Sequence, residues 1–468
     1  MKSFLATIVF VFCLFSASSQ SQTVQPKVDE RTELLSIIFR LAGAKEYMNK
    51  DIPSYSKDID DYFTSYKGHD AIKFAQKVRT EHGVSYDAVM SLAVALEISD
   101  SIRLCKNLSP ISIDDRWGME NVNRFVSLLN KFYFETKFKE FFSSHSALYK
   151  TAETRFSRAI NDVDFSWFEK FYGGGTKDNF NLILRIQNRG NYGPKVIFND
   201  KKEDLYAIMG RCIADSLGQP SYSKGIDNIV VHEYNHSFCN PLIDAYYSAM
   251  KPASAKMYEP VKEILSAQAY ESPETMEYEN LVRACVIRYY QRNGVEENVL
   301  KLQVAQEVAN GFIWIDKLVD LLGVYEKNRD KYPTLNDFMP EIVKLESTLS
   351  PAKILKKIKA NSPKIVSINI PDQSNNVDPN ITEVTLTFDR PMLFKNDVSY
   401  GKQGEKCFPE FSDKKSKWNE KTKKQWTFYI TLEPDKDYSM SFPAQFFIDA
   451  KYHLLDKTYY LDFRTKKQ

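Results

Sequence analysis

The sequence predicts an α+β domain with large helical content, followed by a small all-β sandwich. Three observations carry that prediction: apolar stripes at three-four spacing on both sides of residue 165, a strand-rich stretch between them, and alternating residues after Pro363. The expected boundaries are an export segment at 1–19, a main domain at 20–355 and a β-sandwich at 362–468. Within the main domain, 30–160 reads as helical and 165–350 as an α+β core.

The helical portion runs from about Glu30 to about Arg158. Leu34-Leu35, Ile37-Ile38 and Leu41 share one helix face, and similar stripes cover Ala71–Val78, Ala88–Ile98 and Val122–Phe138. Pro53 and Pro110 fall between stripes. Near Phe165 the texture changes: Asn181–Ile186 and Lys195–Phe198 read as strands around the turn Asn188–Pro194, with a third strand expected over Leu205–Ile213. A helix is expected over Asp227–Tyr247 with Asp227 as its N-cap, ended or kinked at Asn240-Pro241. Further helices are expected at Ala253–Leu265, Tyr278–Gln291, Val299–Leu322 and Leu335–Leu345.

In the last hundred residues, Ile365–Ile370, Val384–Phe388, Trp426–Leu432, the Tyr438, Met440, Phe442 series and the Leu461, Phe463 pair all show a period of two. The segment from Pro363 through Asn376–Asn380 to Phe388-Asp389-Arg390-Pro391-Met392 resembles bacterial Ig-like domains. That resemblance speaks for fold, not for chemistry, and the module is expected to position the protein on a surface, a glycan or other polymer, or a partner. The lysines at 414, 415, 417, 421, 423 and 424 read as a solvated hairpin, and Trp426 as strand core rather than a sugar platform.

Composition narrows the function class. Hydrophobic residues make up 43% and charged residues 26% of 468, with net charge +2 and a pI of about 8.0. So balanced a charge gives no general attraction to nucleic acid or anionic lipid. Lys2, the apolar run Phe4–Phe15 and the small residues Ser16–Ser19 have the order of a cleaved export signal, and the run is too short to anchor in a bilayer. A secreted or periplasmic protein is expected. Beyond Cys13, five cysteines remain, too few for a disulfide scaffold, and no Cys-x-x-Cys pair offers a thiolate zinc site. One disulfide is compatible with five cysteines, but spacing does not reveal its pairing.

The chemistry is concentrated in His232-Glu233-Tyr234-Asn235-His236. The chain has six histidines, and two of them stand four apart around a glutamate on an expected helix, so both imidazoles share one face. His232 and His236 are expected to bind Zn2+, and Glu233, one residue on, to hold a water as general base. A catalytic zinc needs a third protein ligand. Enzymes that share the His-Glu-x-x-His pattern take either a histidine soon after it, with a glycine between, or a glutamate from a later helix. Ser237-Phe238-Cys239-Asn240-Pro241 has neither histidine nor glycine, so resemblance to the second group makes Glu271, Glu274, Glu277 and Glu279 the candidates. Glu279 is the expected ligand, because it opens the buried stripe Val282, Cys285, Val286 and Tyr289, whereas Glu277 is expected in the preceding turn.

With Glu279-Asn280-Leu281-Val282-Arg283-Ala284, this motif resembles a family of secreted bacterial proteins of Bacteroidetes type, itself similar to the gluzincin zinc metallopeptidases. The resemblance covers about Glu30 to Leu349 and implies a zincin-like metallopeptidase domain with glutamate as third ligand. It also implies that Asn191, Tyr192 and Gly193, before Pro194, belong to an edge strand along the substrate. Arg283 departs from the pattern, since gluzincins often carry an acidic residue there to orient a histidine.

The expected reaction is peptide-bond hydrolysis by a zinc-activated water with Glu233 as base. Tyr289, Tyr246 and Arg283, with Tyr247 and Tyr290, are the candidates to stabilise the oxyanion. Two alternatives accompany that reading: a zinc amidase acting on a peptidoglycan-type or other non-protein substrate, and a secreted binding protein that retains a metal site without catalysis.

Overall fold

The computed structural model describes residues 24–173, 179–187, 190–210, 212–393 and 396–467. The export segment expected at 1–19 lies outside the described residues, as do Asn188 and Arg189 of the expected turn. The fold is mixed α+β, dominated by helices with several small sheets. No helix among the described residues is long and apolar enough to cross a membrane. The chain divides into two compact units, residues 1–170 with 175–227 and residues 171–174 with 228–468.

In the first unit, the helix Glu30–Leu41 starts where the Asp29 carboxylate accepts from the Arg31 N–H. It buries Leu34, Leu35, Ile37 and Ile38. The helix Met119–Glu135 buries Val122, Phe125, Leu129 and Phe132. Phe39 meets Trp117 and Phe125 edge-on, and Trp117 stacks on Phe125, so aromatic area supplies much of this core.

The sheet of this unit orders its strands Pro26–Val28, Asn179–Leu184, Glu203–Met209 and Lys195–Ile197. The first three run parallel and the last antiparallel at one edge. That edge extends back to Tyr192, which exchanges both backbone hydrogen bonds with Ile208 at 3.0 and 2.8 Å. Leu205 to Met209 are all buried, the continuous apolar run of a strand covered on both faces. The expected third strand therefore begins and ends earlier than Leu205–Ile213, and Ile213–Ala214 pairs separately with Pro220–Ser221. The strand Pro26–Val28 was not expected, because three residues are too few to show a period.

In the second unit, one helix runs Ile226–Tyr258 through both Pro241 and Pro252. This corrects the expected end near Tyr247 and the expected separate helix from Ala253. Asp227 also lies inside the first turn rather than capping it. Packing overrides proline here: Ile243, Met250 and Met257, beyond Pro241, are almost completely buried.

The helix Pro273–Arg292 starts at Ser272, whose hydroxyl accepts from the Thr275 N–H at 3.0 Å, with Pro273 in the first helical position. Glu277 is thus inside the helix and buried, not in the preceding turn. The expected helix 299–322 is two, Glu297–Ala309 and Ile315–Lys327, broken at Gly311. Gly311 has φ +104°, and a Cβ there would press on the Leu265 side chain. A capping box of Thr334 and Asp337 opens Leu335–Thr348, and an unforeseen helix, Pro351–Asn361, follows.

From Ile365 onward the chain is β. One sheet orders Ser374–Val377, Tyr459–Thr465, Asp437–Phe442 and Ser399–Tyr400; the other orders Glu410–Phe411, Gln425–Thr431, Glu383–Phe388 and Ile365–Ile368. The alternation read from the sequence points where it should. Val384, Leu386, Phe388, Trp426, Phe428, Ile430, Tyr438, Met440, Phe442, Leu461 and Phe463 enter one shared apolar core. Trp426 is core, and the lysines of the hairpin are exposed apart from the half-buried Lys424, with Lys414 lying over the Tyr429 ring.

Candidate metal centre

His232 and His236 stand one turn apart on the helix Ile226–Tyr258, whose opposite face buries Ile226, Val230 and Tyr234. That anchoring turns both imidazoles to a single point. Their Nε2 atoms are 3.1 Å apart. Glu279, on the helix Pro273–Arg292, places one carboxylate oxygen 3.6 Å from His232 Nε2 and the other 3.5 Å from His236 Nε2. One ligand atom from each residue falls within 4.8 Å of the others, a grouping able to hold a metal ion.

The surroundings set both orientation and charge. Asn240 Oδ1 lies 3.1 Å from His236 Nδ1. An amide oxygen can only accept, so Nδ1 carries the proton and Nε2 keeps its lone pair toward the centre. Arg283, one turn after Glu279, donates to Glu279 Oε2 from Nε at 3.2 Å and from a terminal nitrogen at 3.0 Å. It also donates to Glu307 Oε2 at 2.8 Å and to the Tyr270 hydroxyl at 3.0 Å, with its guanidinium 4.6 Å over the Phe312 ring.

Burial alone would push the Glu279 carboxyl up, but the positive charge it faces, the fixed guanidinium of Arg283 and each imidazole of His232 and His236 when protonated, outweighs it and holds the pKa below the ordinary value. Burial, reinforced by His236 and Arg283 against the pull of Glu279, drives the His232 pKa down to about 3. The imidazole is therefore neutral, the form that binds metal, at any ordinary pH. Tyr270 is pushed up to about 12 by burial and by Glu279, which keeps its hydroxyl protonated.

The expected site residues separate clearly. His232, His236 and Glu279 come together, and Glu233 is buried on the same helix one residue after His232. Glu271 is exposed, and Glu274 sits in the first turn of its helix. Glu277 faces a different cluster: Ser254 donates to Glu346 Oε1 at 2.9 Å, and Glu346 is the main charged neighbour of Glu277. Tyr289 lies ten residues beyond Glu279, and Tyr246 ten beyond His236, each about 15 Å further along its helix. The Tyr246 hydroxyl donates to the Asn336 carbonyl instead, at 3.3 Å. Of the oxyanion candidates only Arg283 is at the centre, where it is engaged with Glu279 and Glu307.

Tyr270 and Glu307 were missed, since neither belongs to a motif. Asn191 and Tyr192 are placed by the sheet of the first unit: Asn191 Oδ1 accepts from Gly210 N at 3.0 Å, and Arg185 lies 4.9 Å over the Tyr192 ring. Gly193 falls in the same edge segment, just before the Lys195–Ile197 strand.

No curated protein matches the sequence significantly. Among solved structures, the crystal structure of an S-layer protein aligns with 86% of this chain and 46% of its own, at 11% identity and a TM-score of 0.17. The chain thus spans less than half of that protein, and so low a score carries no argument about fold. Residues 24–345, which contain every residue of the candidate centre, match a family described as a domain of unknown function (DUF4932), and the chain belongs to that family.

Proposed function

We propose that this chain is an exported zinc metallopeptidase of gluzincin type, hydrolysing peptide bonds, with a zincin-like catalytic domain and a C-terminal Ig-like module. The observation that carries the proposal is the spacing of the donor atoms. Zinc bonded at about 2.0–2.1 Å to nitrogen and oxygen in tetrahedral geometry sets its ligands roughly 3.3 Å apart. Here the two imidazole nitrogens are 3.1 Å apart, each lies 3.5–3.6 Å from a different oxygen of the Glu279 carboxylate, and one donor atom from each residue falls within 4.8 Å of the others, close enough for a small side-chain adjustment to complete the set. Two imidazoles and one carboxylate are also the ligand chemistry that zinc hydrolases use.

In this reading His232, His236 and Glu279 hold zinc, which when bound supplies a Lewis acid that polarises the scissile carbonyl and activates a water. Glu233 takes the proton from the attacking water and delivers it to the leaving amine. Asn240 fixes the tautomer of His236, and Arg283 fixes the rotamer of Glu279. Tyr270 brings a protonated hydroxyl to the same neighbourhood, a chemically suitable donor for the oxyanion.

The test is cleavage of a diverse peptide mixture, read by mass spectrometry, with the zinc-loaded protein beside Glu233→Ala. Cleavage by the parent, reduced about 10²–10⁴-fold in the variant, supports the proposal. Absence of cleavage with zinc bound refutes general peptidase activity and moves the weight to a specialised amide substrate or a binding role.

A further inference from the structure

The two helices that carry the candidate ligands also meet at a pair of thiols. Cys239 Sγ, three residues after His236, lies 3.9 Å from Cys285 Sγ, six residues after Glu279. Both cysteines are fully buried. The Tyr172 hydroxyl is 3.1 Å from Cys239 Sγ and donates to Asn235 on the same helix, which closes the space around the sulfurs. The other described cysteines face oxygen: Cys105 toward Val94 O, Cys212 toward Ile186 O and Cys407 toward Gln403 Oε1. Five cysteines left the pairing open at the level of sequence; the fold brings one pair together.

We infer that Cys239 and Cys285 form a disulfide when the chain folds under oxidising conditions, a covalent staple between the helix holding His232 and His236 and the helix holding Glu279. The step is thiol–disulfide exchange. Both thiols lose a proton and together two electrons, a Cys239–Cys285 S–S bond forms, and the S–S bond of a small disulfide such as oxidised glutathione breaks to two thiols. The sulfurs must close from 3.9 Å to about 2.05 Å, which asks for side-chain rotation and a small helix adjustment.

Burial determines when this can happen. The attacking species is a thiolate, and the apolar surroundings push the Cys239 thiol well above its ordinary pKa. The finished fold therefore shields the pair from oxidant and, once the bond exists, from reductant. Oxidation belongs to the folding chain, before the helices close over the sulfurs. The bond would span 46 positions in sequence, so it restricts the unfolded chain substantially and fixes the spacing of the two ligand helices.

The experiment is refolding of the chain with oxidised and reduced glutathione, followed by denaturation, alkylation and peptide mass spectrometry. The expected result is a Cys239–Cys285 linked peptide, 2 Da lighter than the two thiol peptides together, with the remaining cysteines alkylated. Alkylation of both Cys239 and Cys285, or a link between other cysteines, overturns the inference. A second measurement needs no variant. The oxidised protein should melt several degrees above the same protein refolded in dithiothreitol, and equal Tm values with the link present would overturn its role as a staple. Neither readout depends on bound zinc or on peptide cleavage, so the disulfide and the peptidase reading can fail separately.

Discussion

Glu277 and Glu279 stand two residues apart on one helix, and both are buried, yet their surroundings shift the two carboxyl pKa values in opposite directions. Glu279 faces two imidazoles and the Arg283 guanidinium and keeps its charge. Glu277 is pushed well above the ordinary carboxyl range by burial and by Glu346, with no cation among the causes. Glu346 itself is raised to about 7 by burial, against the hydrogen bond from Ser254. Two residues of helix rotate a side chain by about 200°, enough to move from a site that requires a carboxylate to one that favours a shared proton. Burial pushes both carboxyls upward, so the neighbours decide.

That contrast can be broken from either side. The largest effect is expected for Glu279→Gln, which keeps shape but removes the charge: zinc affinity should fall by more than about 100-fold, beyond the 10–100-fold typical of lost supporting contacts. Equilibrium dialysis with metal analysis checks this. Glu277→Gln, two residues away, should leave zinc affinity within about twofold.

Arg283→Leu is next. It strips Glu279 of its fixed cation, and the metal-free protein should lose about 3 kcal/mol in urea unfolding, the cost of a buried charge left uncompensated. Bound zinc should restore part of that loss by supplying a new counter-charge. Equal destabilisation with and without zinc would show that Arg283 does not act through Glu279. Asn240→Ala should lower zinc affinity about tenfold while leaving the unfolding free energy nearly unchanged.

The acid pair gives a pH signature. A carboxyl whose folded pKa lies above its unfolded value binds its proton more tightly in the folded state. Stability is therefore complete below the free-carboxyl range near 4.3 and falls as pH rises toward about 7, where Glu346 titrates. Unfolding free energies at pH 5 and pH 8 should show this decline. Glu277→Gln should flatten it and raise stability at pH 8 by on the order of 2 kcal/mol. An unchanged slope would place the titration elsewhere.

Legibility from sequence followed the range of each interaction. The pair His232 and His236 is fixed by helix periodicity alone, so it could be read directly. Glu279 was legible because its stripe of buried partners follows within ten residues. Glu277 was misplaced, although Ser272-Pro273 is an N-cap followed by a first-turn proline and marks the helix start four residues earlier. Arg283 looked like a departure from an expected pattern, and only the fold shows Glu307 and Tyr270 gathered around it from 24 and 13 residues away. The β-module was the most legible region, because its large apolar residues recur at every second position and enter one core. Pro241 and Pro252 misled in the other direction, since local breaking tendency was weighed without the tertiary packing that outweighs it.

The long helix has a mechanical side as well. Its 33 residues span about 50 Å, but Pro241 gives no N–H to the Ser237 carbonyl and Pro252 gives none to that of Ser248. The hydrogen-bond ladder is thus interrupted twice, which makes the element a jointed rod in three lengths. Packing holds the lengths in line: Met250, Met257 and Tyr258 are buried, and the Tyr258 hydroxyl donates to the Tyr270 carbonyl at 3.0 Å, so each joint is clamped by the core on both sides and the two histidines keep their register without an unbroken ladder behind them.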